Sequence, residues 1–184
     1  MVAARPGHPR DNEAVRLVHV VRHAKSSWAD EGLPDHERPL APRGRRAARR
    51  LAAHLRAAGV RPDLVLCSSA VRARQTLDLL RPGLPDPVEV LVEGDLYGAP
   101  AAALLDRLRR LPDEVGAVML VGHNPGLQDL VLTLAARGGD RARVRDGFPT
   151  AALATLAVPS GPWSGLGPGA AELAEYVIPR KGER

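Results

Sequence analysis

Along the chain, apolar residues gather into short, nearly unbroken runs set between longer stretches where polar and apolar positions mix. Leu17-Val18-His19-Val20-Val21 is rich in β-branched residues, the pattern of a strand buried on both faces. Leu64-Val65-Leu66-Cys67, Val88 to Val92 and Val115 to Val121 repeat it. Between these runs helices are expected. Pro42 suits the first turn of one running from about Arg43 to Ala58, and Gly59 suits its C-terminal cap. A second extends from Ser69 through Leu80 and is broken by Pro82, Gly83, Pro85 and Pro87. A third covers Pro100 to Leu111, and a fourth follows Gly126 through Ala136, closed by Gly138-Gly139. A basic loop then leads to Pro149.

Ala151 to Val158 and Leu173 to Ile178 read as the fifth and sixth strands. Only a turn lies between them, with seven Gly or Pro among residues 159–169, so the two are expected to pair antiparallel. Strands alternating with helices predict an α/β fold: a three-layer α/β/α sandwich around a mostly parallel six-stranded sheet. Residues 1–15 read as a flexible N-terminal arm and 16–184 as a single domain.

Composition removes several classes of function. No run reaches the roughly 18 apolar residues of a membrane span, and the first ten residues lack a signal peptide's apolar stretch, so a cytoplasmic protein with no membrane partner is expected. A single cysteine excludes an internal disulfide and a four-cysteine metal site. One Phe, two Tyr and two Trp are too few for stacking on single-stranded nucleic acid, so no nucleic-acid partner is expected. The net charge of +5 is carried almost wholly by arginine and leaves phosphates open as ligands. Oligomeric state leaves no mark on the sequence.

In open α/β sheets, ligands bind beyond the carboxyl ends of the strands. Arg22 and His23 follow the first strand, Arg72 lies just past the second, and His123 follows the fourth, so residues 100 positions apart can share one mouth. Two imidazoles and two guanidiniums there suit a phosphate, whose oxygens match the guanidinium fork. A neutral imidazole is a competent nucleophile at phosphorus, and surrounding cations lower its pKa. His19 reads as a packing residue inside a strand, and His8, His36 and His54 as surface residues. Cys67 and Arg72 are one residue too close for the Cys-x5-Arg loop of cysteine-dependent phosphatases. Trp28 and Tyr97 flank the mouth in sequence, as shapers of the substrate entrance or as core or rim packing. Six arginines between Arg43 and Arg56 make the first helix basic, as a solvated face or as a guide for an acidic phosphoprotein.

These elements resemble the histidine phosphatase superfamily, whose fold is phosphoglycerate mutase-like. Val21-Arg22-His23-Ala24 is similar to its Arg-His-Gly signature, with alanine for glycine. Arg38-Pro39-Leu40-Ala41-Pro42-Arg43-Gly44, Ser68-Ser69-Ala70-Val71-Arg72-Ala73-Arg74-Gln75-Thr76 and Val121-Gly122-His123-Asn124-Pro125 resemble further elements of its SixA-type phosphohistidine phosphatase group. The resemblance implies that His23 is phosphorylated during turnover. It implies too that Arg22 and Arg72 hold the phosphoryl oxygens, that Arg38 adds a phosphate contact, and that His123 donates to the phosphoryl group. No metal or cofactor is implied.

Esterases of the superfamily protonate the leaving alkoxide with a carboxylic acid just after the third strand. One alignment of Leu91-Val92-Glu93-Gly94-Asp95-Leu96-Tyr97-Gly98 nominates Glu93, with Asp95 close by; aligning on Leu96 puts Gly98 at that position and leaves no acid. The second alignment favours phosphohistidine on a protein, whose imidazole leaves with less proton assistance than an alkoxide. The alternatives are a phosphomonoesterase of small molecules and, in another class, a non-catalytic phosphate-binding module.

Overall fold

The computed structural model describes residues 15–179. In chain order these form β1 (Val15–Arg22), α1 (Pro42–Ala57), β2 (Leu64–Ser68), α2 (Val71–Leu80), β3 (Glu89–Glu93), α3 (Ala101–Arg109), β4 (Ala117–Gly122), α4 (Gly126–Leu134), β5 (Ala135–Arg137), α5 (Arg141–Asp146), β6 (Leu153–Pro159) and β7 (Ala171–Val177). One sheet contains every strand, in the order β3-β2-β4-β1-β6-β7-β5. The strands β1 to β4 are mutually parallel, β6 runs against both its neighbours, and β5 runs with β7.

Alternation along the central strands builds the two interior layers. Val18, Val20, Leu64, Leu66, Val118 and Leu120 join the core under α3 and α4. The residues between them, Val21, Val65, Cys67, Met119 and Val121, join the core under α1 and α2. Both faces of these strands are therefore apolar, which is why the sequence shows unbroken runs rather than polar alternation. The three-layer sandwich is the observed architecture.

Register brings the functional strand ends together. The inner strand β4 lies between β1 and β2, with Arg22 opposite Gly122 and Cys67 opposite Val121. The chain leaves β1, β2 and β4 on one edge of the sheet, side by side. Helix α1 starts against that edge: a Cβ on Gly44 would lie 2.2 Å from the Lys25 carbonyl oxygen, so only glycine permits the approach.

The sheet has seven strands, not six. The fourth helix stops at Leu134, and Ala135–Arg137 becomes edge strand β5 beside β7. The helix-forming Ala-Ala-Arg sequence yields to pairing with β7. Gly138 fixes the exit at φ +132°, with the site of a Cβ only 2.6 Å from the Leu173 carbonyl oxygen and side chain. The expected basic loop contains α5. The antiparallel β6–β7 pair is as expected. The expected arm lies outside the described residues except for Val15, which begins β1 opposite Pro159. Among the described residues no helix is long and apolar enough to cross a membrane.

Candidate active site

His23 is the first residue beyond β1. Its Nδ1 lies 2.7 Å from the Ala24 carbonyl, which can only accept, and its Nε2 lies 3.3 Å from Nε of Arg72, which can only donate. Both contacts select one tautomer: Nδ1 carries the proton and Nε2 presents a lone pair. Burial pushes the His23 pKa down to about 3, reinforced by His123, Arg72 and Arg22 and opposed by the bond to Ala24. The imidazole is neutral at pH 7. Thr76 braces it from α2, accepting from the Ala24 amide at 2.9 Å and donating to the Arg72 carbonyl at 2.6 Å.

His123, just past β4, faces His23 with ring centroids 5.0 Å apart. Its Nε2 is 2.7 Å from Oγ of Ser68, the last residue of β2. Burial lowers its pKa to about 4, with Arg72 adding to the effect and Asp35 opposing it. Of the four ring nitrogens in this pair, His123 Nδ1 is buried and has no hydrogen-bond partner among the described residues. A Cβ on Gly126 would meet the Ala99 carbonyl at 2.0 Å, so glycine lets α4 begin three residues after His123.

Arg22 is half-buried and donates to the Phe148 carbonyl at 2.8 Å; burial lowers its pKa. The buried Arg72 points Nε at His23 and gives its terminal nitrogens to the carbonyl and the carboxylate of Asp35, the carboxylate at 2.8 Å. Asp35 is a site residue that no motif in the sequence marks. Its Oδ2 also accepts from the Tyr97 hydroxyl at 2.8 Å, and its Oδ1 from Arg38 at 3.0 Å. The bonds from Tyr97, Arg72 and Arg38 hold its pKa near 2 against burial. The missed signal is the Asp-x-x-Arg spacing of Asp35 and Arg38, which looks like any solvated charge pair until Arg72 is brought to it.

Arg38 is brought to the site only through Asp35. It is 4% exposed, and its donors go to the Ser27 carbonyl, Ser26 Oγ and Asp35. Its guanidinium carbon sits 3.0 Å from the centre of the Trp28 ring. Its donors are engaged by the loop that carries Asp35, which it anchors. Glu93 lies opposite Ser68 in the sheet register, but neither it nor Asp95 makes a hydrogen bond to either histidine. Arg107 grips both oxygens of Glu93 at 2.7–3.0 Å. Asp95 is exposed, and the two acids border a cleft along α3 with Arg107, Arg109 and Arg110. What that segment does bring to the mouth is Tyr97, whose ring meets His123 edge-on at 5.4 Å and His36 at 4.9 Å. Gly98 follows in the left-handed region at φ +67°.

His36, expected on the surface, belongs to this rim: its Nε2 lies 2.9 Å from Ser69 Oγ and its Nδ1 2.9 Å from Glu37. Cys67 is fully buried, and burial pushes its thiol up to about 12, which makes it inert packing. His19 is buried in β1 against Thr155, as expected of a packing residue. Among the described residues no three His, Cys, Asp or Glu side chains cluster as metal ligands. The site thus combines a neutral nucleophilic nitrogen, a second imidazole, two guanidiniums and one ionised carboxylate. The guanidiniums and imidazoles of that set suit a tetrahedral oxyanion.

The model of the histidine phosphatase superfamily, branch 1, matches residues 18–96. An uncharacterized protein of Mycobacterium tuberculosis is 40% identical over 164 residues, 87% of this chain and all of that protein. A structure from Agrobacterium tumefaciens, assigned as phosphohistidine phosphatase SixA, superposes with TM-score 0.76 at 28% identity, over 89% of this chain and 98% of its own. The protein histidine phosphatase SixA complexed with tungstate superposes with TM-score 0.72 at 25% identity, over 89% and 97%.

Proposed function

Because the chain belongs to the histidine phosphatase superfamily, in its SixA-type group, and is a phosphatase, we propose that it hydrolyses phosphohistidine on a protein, without a metal, through a phosphorylated His23. The observation that carries this reading is the tautomer of His23, with Nε2 unprotonated and aimed along Arg72. In the first step Nε2 attacks phosphorus, the P–N bond to the substrate imidazole breaks, and the departing imidazole nitrogen takes its proton from solvent. Arg22 and Arg72 balance the charge on the equatorial oxygens, and His123 donates to one of them. In the second step water attacks phosphorus from the side the substrate has left. The P–Nε2 bond then breaks, releasing inorganic phosphate and restoring neutral His23.

Protein phosphohistidine is favoured over an alkyl phosphate because neither Glu93 nor Asp35 is a free acid at the mouth. Glu93 is held by Arg107, and Asp35 is ionised. An alkoxide leaving group without a general acid forgoes about 10²–10⁴-fold in rate, whereas an imidazole needs far less help. The tungstate bound by the SixA relative, a tetrahedral oxyanion, fits the same reading.

The test compares kcat/KM for a phosphohistidine peptide, an aryl phosphate and an alkyl phosphate. The phosphohistidine peptide and the aryl ester should be turned over well and the alkyl ester poorly. A preference for the alkyl ester would make this a phosphomonoesterase of small molecules.

A further inference from the structure

Resting on the protein-phosphohistidine reading, we propose that α1 is a docking face for an acidic surface of the substrate protein, lying beside its phosphohistidine. Helix α1 carries Arg43, Arg45, Arg46, Arg49, Arg50 and Arg56 and no acidic residue. Arg43, Arg46, Arg49, Arg50 and Arg56 are exposed. Among the described residues none of the six takes part in an ion pair; Arg56 donates to the Pro82 carbonyl, and Glu175, which reaches this helix, goes to His54.

An ordinary solvated helix does not look like this. Arg43/Arg46, Arg45/Arg49, Arg46/Arg49 and Arg46/Arg50 are like charges at three- and four-residue spacing, which destabilises a helix. Arg43, Arg45 and Arg46 also sit in its first turns, where the dipole favours anions. Helix stability alone therefore disfavours this charge pattern twice over. An acidic partner offsets both penalties at once.

Position ties the stripe to catalysis. The Ala41 amide, just before α1, donates to the Lys25 carbonyl at 2.9 Å, two residues past His23. From that mouth a 16-residue helix runs about 24 Å, far beyond the reach of a small phosphate ester. The loop that leads into α1 and exposes Trp28 has the other sign: it carries Asp30, Glu31, Asp35 and Glu37, of which Asp35 is paired with Arg38 and Arg72 and Glu37 with His36. An acidic surface is thus matched by α1 and not by the loop. The acids of that loop also disfavour a continuous phosphate backbone running over both loop and helix, which favours a protein, whose acidic patch can be confined to α1, over nucleic acid.

Two phosphohistidine peptides, identical except for a helical arm rich in Glu or in Gln, provide the test, with 4-nitrophenyl phosphate as control. Wild type should turn over the Glu peptide with kcat/KM about tenfold higher at low salt, a margin that shrinks as salt is added. The triple variant Arg43→Gln/Arg46→Gln/Arg50→Gln should lose the preference while hydrolysing the Gln peptide and the aryl ester at wild-type rates. Equal turnover of both peptides by wild type, or a preference that survives the substitutions, overturns the docking face and leaves the substrate reading standing. Failure to turn over either peptide while the aryl ester is hydrolysed overturns both. Salt-sensitive binding of a single-stranded RNA, lost in the triple variant and unaccompanied by any peptide preference, replaces the protein partner with nucleic acid.

Discussion

The Nε–H of Arg72 points at Nε2 of His23 across 3.3 Å. One guanidinium thereby selects the reactive tautomer of the candidate nucleophile and stands beside the phosphorus it would attack. Thr76 links the two residues a second time, through the Ala24 amide and the Arg72 carbonyl. Arg72→Lys keeps the charge but loses the planar fork. It should lower kcat/KM by about 10²-fold or more, as expected for one lost transition-state donor, with little change in melting temperature.

Asp35→Asn removes the carboxylate shared by Arg72, Tyr97 and Arg38. A misplaced Arg72 should cost about 10- to 100-fold in kcat/KM. Tyr97→Phe, which removes one of the three bonds and leaves the charge pair, should cost less. Steady-state kinetics on an aryl phosphate reads both; equal and full activity in the two variants would remove Asp35 from the positioning machinery.

The pH response follows from the lowered histidines. With His23 near 3 and His123 near 4, kcat/KM should not fall as pH drops through 6.5, where an unperturbed imidazole titrates. Stability behaves differently. Below about 6.5 the unfolded chain binds protons at His19, His23 and His123 that the folded chain does not. Acid should therefore destabilise the protein progressively from about pH 6.5 down toward the folded values, and the loss stops below them. Urea midpoints between pH 7.5 and 4.5 give the slope, and a midpoint that rose on acidification would contradict it.

Excess EDTA should leave activity unchanged, because the positive charge of the site comes from guanidiniums that a chelator cannot remove. Loss of activity that is restored by a divalent ion would refute a metal-independent reaction.

Glu93→Gln should barely change turnover of phosphohistidine. Its pair with Arg107 is half-buried, so the cost should appear in stability, at about 1 kcal/mol. Thermal melts and kinetics on the same preparation separate the two effects.

Much of this was legible in the sequence because strand ends are. Arg22, His23, Arg72 and His123 each stand just beyond an apolar run, and a parallel sheet gathers such ends on one edge. What the sequence hides is pairing across the mouth. Asp35 and Tyr97 lie on loops whose polarity looks like that of any surface loop, and only the fold sets both against Arg72. Arg38 and Glu93 have the right chemistry for their expected roles, but residues from neighbouring loops and helices, Ser26, Ser27 and Trp28 for one and Arg107 for the other, engage their donors and oxygens. The strand β5 was concealed because Ala135-Ala136-Arg137 favours a helix locally and is captured by β7 instead.

The most direct measurement is a rapid-quench reaction with a ³²P-labelled phosphohistidine peptide, followed by mapping of the label. Wild type should carry acid-labile, base-stable phosphate on His23, and His23→Ala should carry none and be inactive while melting as wild type does. Label on another residue, or sustained turnover by His23→Ala, would contradict a reaction that passes through His23.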